Sequence, residues 1–343
     1  MSVPTSNTQV LFKEDPGAAL VQTSHMEVVT VPFASPELAE GEVLVKNLYI
    51  SLDPYMRGRM NTRVKSYSAS FELGKVMQAG GVSQVLASRR DGFAVGDIVS
   101  TFVGWEEVTL VPAALPLRKI DSAVPVPLSY YLGVLGMVGA TAYHGLLDLC
   151  SPKAGETLFV SGAAGAVGLV VGQIAKIKGL RVVGSAGSDE KVALLKSQFG
   201  FDEAFNYKTV PSISEALGAA APKGVDVYFD NVGGEHLDAA LAHINVHGRI
   251  AACGMISGYN GQQYTFKNLT NIIGRQVKIE GFIIGGKLAD PEFTARFGGD
   301  VGKWVLEGKL KYAEHVVEGI AKAPEAFVGL FKGDNTGKLI IKV

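Results

Sequence analysis

The chain has 343 residues, with 32 Lys plus Arg against 33 Asp plus Glu, six His, two Cys and 42 Gly. A formal net charge of −1 offers no field for a nucleic-acid backbone or an anionic membrane surface, and 47% hydrophobic with 19% charged residues excludes a disordered composition. Two cysteines exclude a disulfide scaffold, a four-thiolate zinc lobe and an iron–sulfur cluster.

In chain order, the first 17 residues carry Lys13, Glu14 and Asp15 and lack the long apolar core of a secretory signal. Up to residue 125 the pattern is β. Val28–Val31, Val43–Ile50, Ile98–Phe102 and Glu107–Val111 cluster β-branched residues. Turns are expected between them at Ala39–Glu42, Ala79–Gly81, Asp91–Gly92 and Val95–Asp97. Leu128–Leu147 is twenty residues without a formal charge, long enough to span a bilayer. Its four glycines, Ser129, Thr141, His144 and the lack of a basic flank favour one buried helix instead. No membrane span is expected, and the free thiols suit the cytoplasm.

Beyond residue 150 strands and helices alternate: strand Thr157–Ser161, helix Val167–Lys178, strand Arg181–Ser185, helix Asp189–Phe199. Ala204–Tyr207, Val225–Asp230, Arg249–Cys253 and Val277–Phe282 add buried runs, and Glu235–Ile244 and Lys303–Glu307 read as helical. This alternation implies a doubly wound parallel sheet covered on both faces. The tail from Val316 ends in the strand-like run Lys338–Val343.

Gly162-Ala-Ala-Gly165-Ala-Val-Gly168 follows a strand and opens a helix, the context of a dinucleotide phosphate loop. The second strand of an NAD site normally ends in Asp or Glu, on the ribose 2′-hydroxyl. Here it runs Val183-Gly-Ser-Ala-Gly187-Ser188, with Lys191 following. A lysine and backbone N–H groups attract a 2′-phosphate, which favours NADPH; the competing reading gives Asp189 the ribose contact and leaves Lys191 on the surface. The 125 N-terminal residues hold one His and no Cys, Cys150 and Cys253 lack ligand spacing, and His243 and His247 read as surface residues. No metal site is expected.

Several segments carry a family resemblance: Ser51-Leu-Asp-Pro-Tyr-Met-Arg57, Met137-Val-Gly-Ala-Thr-Ala-Tyr143, Ala163–Gly168, Gly187–Lys191, Phe205–Lys208, Tyr228–Gly234, Cys253–Asn260, Trp304–Lys309 and Lys332–Lys338. They lie in chain order over nearly the whole protein. The chain resembles the zinc-independent medium-chain dehydrogenase/reductases of the alkenal/one oxidoreductase and prostaglandin reductase family, which includes the double bond reductases.

The resemblance implies an α/β protein: a GroES-like β domain (residues 1–127), a Rossmann NADP-binding domain (128–307) and a C-terminal return to the first (308–343), with the active site in the cleft. It implies a homodimer and NADPH. By position, Gly165, Ala166, Val167 and Gly168 hold the pyrophosphate. Lys191 and Tyr207 hold the 2′-phosphate end, and Gly187 also binds the cofactor. Asn231, Cys253, Gly254, Met255, Ile256, Ser257, Gly258, Tyr259, Phe282, Ile283, Ile284 and Asn335 line the remainder.

Without a metal to polarise an alcohol, the expected acceptor is the conjugated double bond of an enal or enone. Hydride reaching its β-carbon leaves an enolate, whose oxygen needs a donor. Tyr259 is that donor by resemblance, and Tyr55 a catalytic-site residue, more a substrate wall than an acid; the α-carbon proton comes from solvent or Tyr259. Arg57 reads as a structural or cofactor-side charge, and Met137 and Tyr143 as core. The alternatives are an NADPH quinone oxidoreductase and a non-catalytic NADPH-binding protein. The substrate pocket's variable edge is expected at Gly261–Leu269 and Gly285-Gly286.

Overall fold

A computed structural model describes residues 4–343. The strands are β1 (Ser6–Phe12), β2 (Met26–Pro32), β3 (Val43–Ser51), β4 (Gln78–Ser88), β5 (Ile98–Gly104), β6 (Val108–Val111) and β7 (Arg118–Lys119). There follow β8 (Thr157–Val160), β9 (Arg181–Ala186), β10 (Glu203–Asn206), β11 (Val225–Asp230), β12 (Ile244–Ala252), β13 (Lys278–Gly281), β14 (Glu314–Glu318) and β15 (Lys338–Lys342).

The chain divides into two compact units. The first takes the chain up to Leu132 with His315–Asn335 and Leu339–Val343. Its main sheet has the order β14-β15-β3-β4-β5-β7, with β6 also on β3, and β1 pairs antiparallel with β2. The C-terminal strand lies against β3, Ile341 opposite Ile50. Val10, Phe12, Val43, Val45, Ile50, Met56, Trp105 and Phe327 form its core, Trp105 edge-on to Phe327 with centroids 5.6 Å apart.

β1 falls within the β pattern expected up to residue 125; Val10 and Phe12 alternate inward while Asn7 is held by Glu106. One expectation fails in this unit. Ala79–Gly81 is not a turn but part of the eleven-residue β4. A Cβ on Gly81 would come within 2.4 Å of Val103 on the adjacent strand, so this glycine serves close strand approach.

The second unit, Gly133–Glu314 with Thr336–Lys338, carries a six-stranded sheet of order β10-β9-β8-β11-β12-β13. Every pairing in it is parallel. The central strands are buried along nearly their whole length, as a sheet covered on both faces requires. Phe159 stacks on Tyr228 at 5.0 Å and on Phe205 at 6.1 Å, tying three strands into one core.

Helix Asp189–Phe199 starts where Ser188 accepts the Lys191 N–H and ends at Gly200, whose φ of 73° suits glycine. Helix Pro291–Leu306 was legible only at its last turn, because Gly298, Gly299 and Gly302 weaken its helical signal. Burial of Phe293, Phe297, Val301 and Trp304 along one face overrides that propensity. Helix Ile213–Ala220 starts at Ser212, whose hydroxyl accepts the Glu215 N–H at 3.2 Å.

The Leu128–Leu147 run is not one helix. It breaks into 3-10 turns at Leu128–Leu132, helix Met137–Tyr143 and a π-turn at His144–Leu149. A Cβ on Gly133 would lie 2.3 Å from the Tyr312 ring and one on Gly139 1.8 Å from the Val134 carbonyl oxygen, so these glycines serve a packed bend. Among the described residues no helix is long and apolar enough to cross a membrane.

Candidate active site

The second unit gathers its expected site residues at the carboxyl ends of all six parallel strands. Gly165–Gly168 follow β8, Gly187 and Lys191 follow β9, Tyr207 follows β10, Asn231 follows β11, Cys253–Tyr259 follow β12 and Phe282–Ile284 follow β13. Sheet order reverses between β8 and β11, the point where doubly wound sheets bind ligands.

Helix Ala166–Ile177 starts at Gly165 with no side-chain cap, so its first-turn N–H groups are presented to an anion. Gly162 holds a φ of 59°, and its carbonyl oxygen accepts the Gly165 N–H at 2.9 Å. A Cβ on Gly168 would stand 2.5 Å from that same oxygen. Tight packing of loop on helix therefore demands the third glycine.

Beyond β9, a Cβ on Gly187 would meet the Tyr207 hydroxyl at 3.0 Å and Lys208 Cε at 3.2 Å. Gly187, Tyr207 and Lys208 thus converge, with Lys191 in the first turn of the adjoining helix. Asp189 is committed elsewhere, since its Oδ1 accepts from Asn206 Nδ2 at 2.8 Å. That pairing weakens the ribose reading for Asp189. Lys208 joins the expected residues here, its position next to Tyr207 in Phe205–Lys208 being the local signal for it. Beneath Tyr207 lies His236, which no local signal could have revealed.

Asn231 is fixed by Ser161, donating Nδ2–H to its carbonyl at 2.8 Å and N–H to its hydroxyl at 3.0 Å. Asp230, fully buried, accepts on Oδ1 from the Tyr228 hydroxyl at 2.7 Å and from the N–H groups of Val232 and Gly233 at 3.0 and 2.7 Å. Burial outweighs these bonds and raises the Asp230 pKa. The carbonyls of Asp230, Asn231 and Val232 in turn accept from Cys253 and Gly254, Ile256, and Ser257. The loop leading to Tyr259 is therefore stitched to the end of β11.

The Tyr259 hydroxyl accepts from the Met255 N–H at 3.4 Å and lies 3.1 Å from where a Cβ on Gly254 would stand. Burial, with Asp230 adding to it, pushes the Cys253 thiol up to about 12, so it stays protonated at neutral pH. Phe282 turns inward, edge-on to His144 and Phe229, and fills the space left by Gly145. Ile284 is buried and Ile283 is 54% exposed.

Tyr55 and Asn335 belong to the first unit. Tyr55 is half-buried; burial raises its pKa far above the usual phenol value, Asp53 adds to this and Arg59 opposes it. Arg57 binds the Gly17 and Ala19 carbonyls at 2.8 and 2.7 Å, a structural tie to the N-terminal segment. Tyr143 is core, as expected, its hydroxyl on Asp300 at 2.6 Å, whereas Met137 is only partly buried. His243 is bonded to Ser214 at 3.0 Å rather than simply solvated.

Two family descriptions match: "N-terminal domain of oxidoreductase" over residues 9–119 and "Zinc-binding dehydrogenase" over residues 166–297. The zinc of the second description does not fit here: among the described residues no three His, Cys, Asp or Glu side chains are grouped to hold a metal ion. The chain is 46% identical, over 100% of its length and 99% of the relative's, to the NADP(+)-dependent 2-alkenal reductase of Nicotiana tabacum. It is 42% identical to the (+)-pulegone reductase of Mentha piperita, covering 98% of each chain. With prostaglandin reductase 1 of Rattus norvegicus it shares 46% identity over 90% of this chain and 91% of that one. The crystal structure of CurA from Vibrio vulnificus in complex with NADPH superposes with a TM-score of 0.90 at 37% identity, covering 98% of this chain and 99% of that one. With its β domain, its doubly wound sheet and these relatives, the chain belongs to the alkenal/one oxidoreductase and prostaglandin reductase family of zinc-independent medium-chain dehydrogenase/reductases.

Proposed function

We propose that this chain reduces the carbon–carbon double bond of α,β-unsaturated aldehydes and ketones, with Tyr259 as oxyanion donor and Tyr55 as a wall of the substrate site. It is an NADPH-dependent oxidoreductase acting on small-molecule enals and enones. The observation that carries the reading is the full-length 46% identity to an NADP(+)-dependent 2-alkenal reductase.

The residues present fit a phosphorylated dinucleotide. The uncapped helix start at Gly165–Gly168 receives the pyrophosphate, and Lys191, Tyr207 and Lys208 around Gly187 receive the 2′-phosphate. Asn231, Cys253–Tyr259 and Phe282–Ile284 line the rest of the cofactor, and Asn335 carries its cofactor role from the resemblance alone. When bound, NADPH supplies the hydride that adds to the substrate's β-carbon and sends the π electrons to the carbonyl oxygen. Tyr259 donates its hydroxyl hydrogen bond to that oxygen, a task an uncharged phenol performs while the stitched loop holds it. A proton from solvent or from Tyr259 completes the α-carbon.

We assign the first unit to the GroES-like domain and the second to the NADP-binding domain, with the division at Leu132/Gly133 and the return at His315 rather than at the expected 127/128 and 308. We also propose a cytoplasmic homodimer; the edge strand β13, with Ile279 40% exposed, supports self-association, and two free cysteines support a reducing compartment.

Initial rates of NADPH and NADH oxidation with trans-2-nonenal, a cyclic enone and an ortho-quinone test the activity. Enal and enone turnover with strong NADPH preference is expected. A faster quinone rate would favour the quinone oxidoreductase reading, and NADPH binding without turnover of any acceptor the non-catalytic one.

A further inference from the structure

A buried cluster in the second unit has no part in the proposed chemistry, yet it grips a residue of the cofactor-lining segment. His144 is 7% exposed and opens the π-turn His144–Leu149, a rare wide turn that shifts side chains off ordinary helical positions. Its Nδ1 lies 2.8 Å from Asp148 Oδ2, and Asp148 Oδ1 accepts from Arg296 Nη2 at 2.9 Å. A carboxylate only accepts, so Nδ1 carries the hydrogen and the imidazole is fixed in tautomer and orientation.

So oriented, the ring stands edge-on to Phe282 with centroids 5.6 Å apart, and edge-on to Phe293 at 5.7 Å. Phe229 also meets Phe282 edge-on, at 6.3 Å. A Cβ on Gly145 would stand 2.6 Å from Phe282 Cζ, so residue 145 has no room for a side chain while Phe282 keeps its place. The Phe282 ring is thus held by a tethered histidine and admitted by the glycine beside it.

Phe282 directly follows β13. The sheet order says which part of the dinucleotide meets it. The proposed 2′-phosphate residues follow β9 and β10, and the phosphate loop follows β8. The nicotinamide half therefore extends over β11, β12 and β13, across the switch point. β13 is the edge strand, paired with β12 alone, so the grip on Phe282 stands in for a second neighbouring strand.

We propose that His144, tethered by Asp148 and Arg296, is a positioning residue for the nicotinamide end: it fixes Phe282, and through it the Ile283–Ile284 backbone, against the cofactor. This rests on the reading of Phe282–Ile284 as cofactor lining, which Ile283→Asp tests separately.

Three variants loosen the grip. His144→Ala removes the ring, Asp148→Ala only its tether, and Gly145→Ala displaces Phe282 from the turn. Dissociation constants are measured for NADPH and for 2′,5′-ADP, which lacks the nicotinamide, with bound-NADPH fluorescence reporting the ring's surroundings. NADPH should weaken by ~3- to 10-fold, the order of one hydrogen bond, with altered fluorescence and unchanged 2′,5′-ADP affinity. The kcat for an enone should fall by ~10- to 100-fold through misplacement of the reacting atoms, with its KM little moved. Asp148→Asn, which keeps an acceptor for the imidazole N–H, should restore near wild-type values. A merely structural cluster would lower the melting temperature and weaken both nucleotides alike or neither; either pattern overturns the proposal, as does an Asp148→Asn variant as impaired as Asp148→Ala. Asp148, its side chain 21% exposed, provides the decisive pair if His144→Ala or Gly145→Ala fails to fold. The binding measurements need no turnover, so they decide even if no enone is reduced. Unchanged NADPH binding in Ile283→Asp would bring down the lining reading and the proposal with it. Weaker NADPH binding there, with none in the three grip variants, would remove only the role of His144.

Discussion

The His236 imidazole stands edge-on to the Tyr207 ring, with centroids 5.1 Å apart and planes at 80°. It is 4% exposed, its Nε2 meets no hydrogen-bond partner, and burial lowers its pKa to about 4. The folded protein thus holds this histidine neutral, whereas the unfolded chain protonates it near pH 6.5. Its stabilising contribution is complete above pH 6.5 and is lost as pH falls through about 4. That difference corresponds to about 3 kcal/mol. Thermal unfolding of the wild type should weaken across this window, and His236→Phe should flatten that part of the profile. Parallel profiles for the two proteins would refute the assignment.

Removing the proposed oxyanion donor tests the chemistry. Tyr259→Phe should lower kcat for an enone by ~10²- to 10³-fold, the usual loss for such a donor. NADPH affinity, followed by nucleotide fluorescence, should change far less. Full activity in this variant would take Tyr259 out of the reaction.

The cations around Gly187 test cofactor choice. Lys191→Ala should weaken NADPH by ~10- to 100-fold while leaving NADH little affected. Lys208→Ala should act in the same direction. Titration with 2′,5′-ADP and with AMP isolates the phosphate from the nicotinamide end, and equal losses for both nucleotides would overturn the 2′-phosphate assignment.

The phosphate loop has no room for a side chain at its third glycine. Gly168→Ala places Cβ 2.5 Å from the Gly162 oxygen and 2.7 Å from Ala163 Cα, both backbone atoms. Unfolding free energy should fall by about 1–3 kcal/mol, with weaker NADPH binding. A variant with unchanged melting temperature and nucleotide affinity would show that the loop moves aside freely.

Much of the parallel sheet was legible because local chemistry and packing agree there. Helix Asp189–Phe199 and strand Val225–Asp230 occupy the expected residues, since a Ser cap, a Gly stop and an unbroken apolar run each announce themselves. Elsewhere glycine misled. Gly81 reads as a turn and lies in a strand, while Gly298 and Gly299 hide a helix. A missing side chain signals backbone freedom or close approach equally well, and only the neighbour distinguishes them.

The strand–helix alternation, the phosphate loop and the family follow from the order of residues, because turn chemistry, hydrophobic period and motif spacing are written in consecutive positions. It took folding to pair Asp189 with Asn206, to set His236 beneath Tyr207 and to bury Arg59 among neutral acceptors. Those relations join residues set up to 29 positions apart on separate elements. Their energies come from burial and orientation, which a linear order of side chains does not contain.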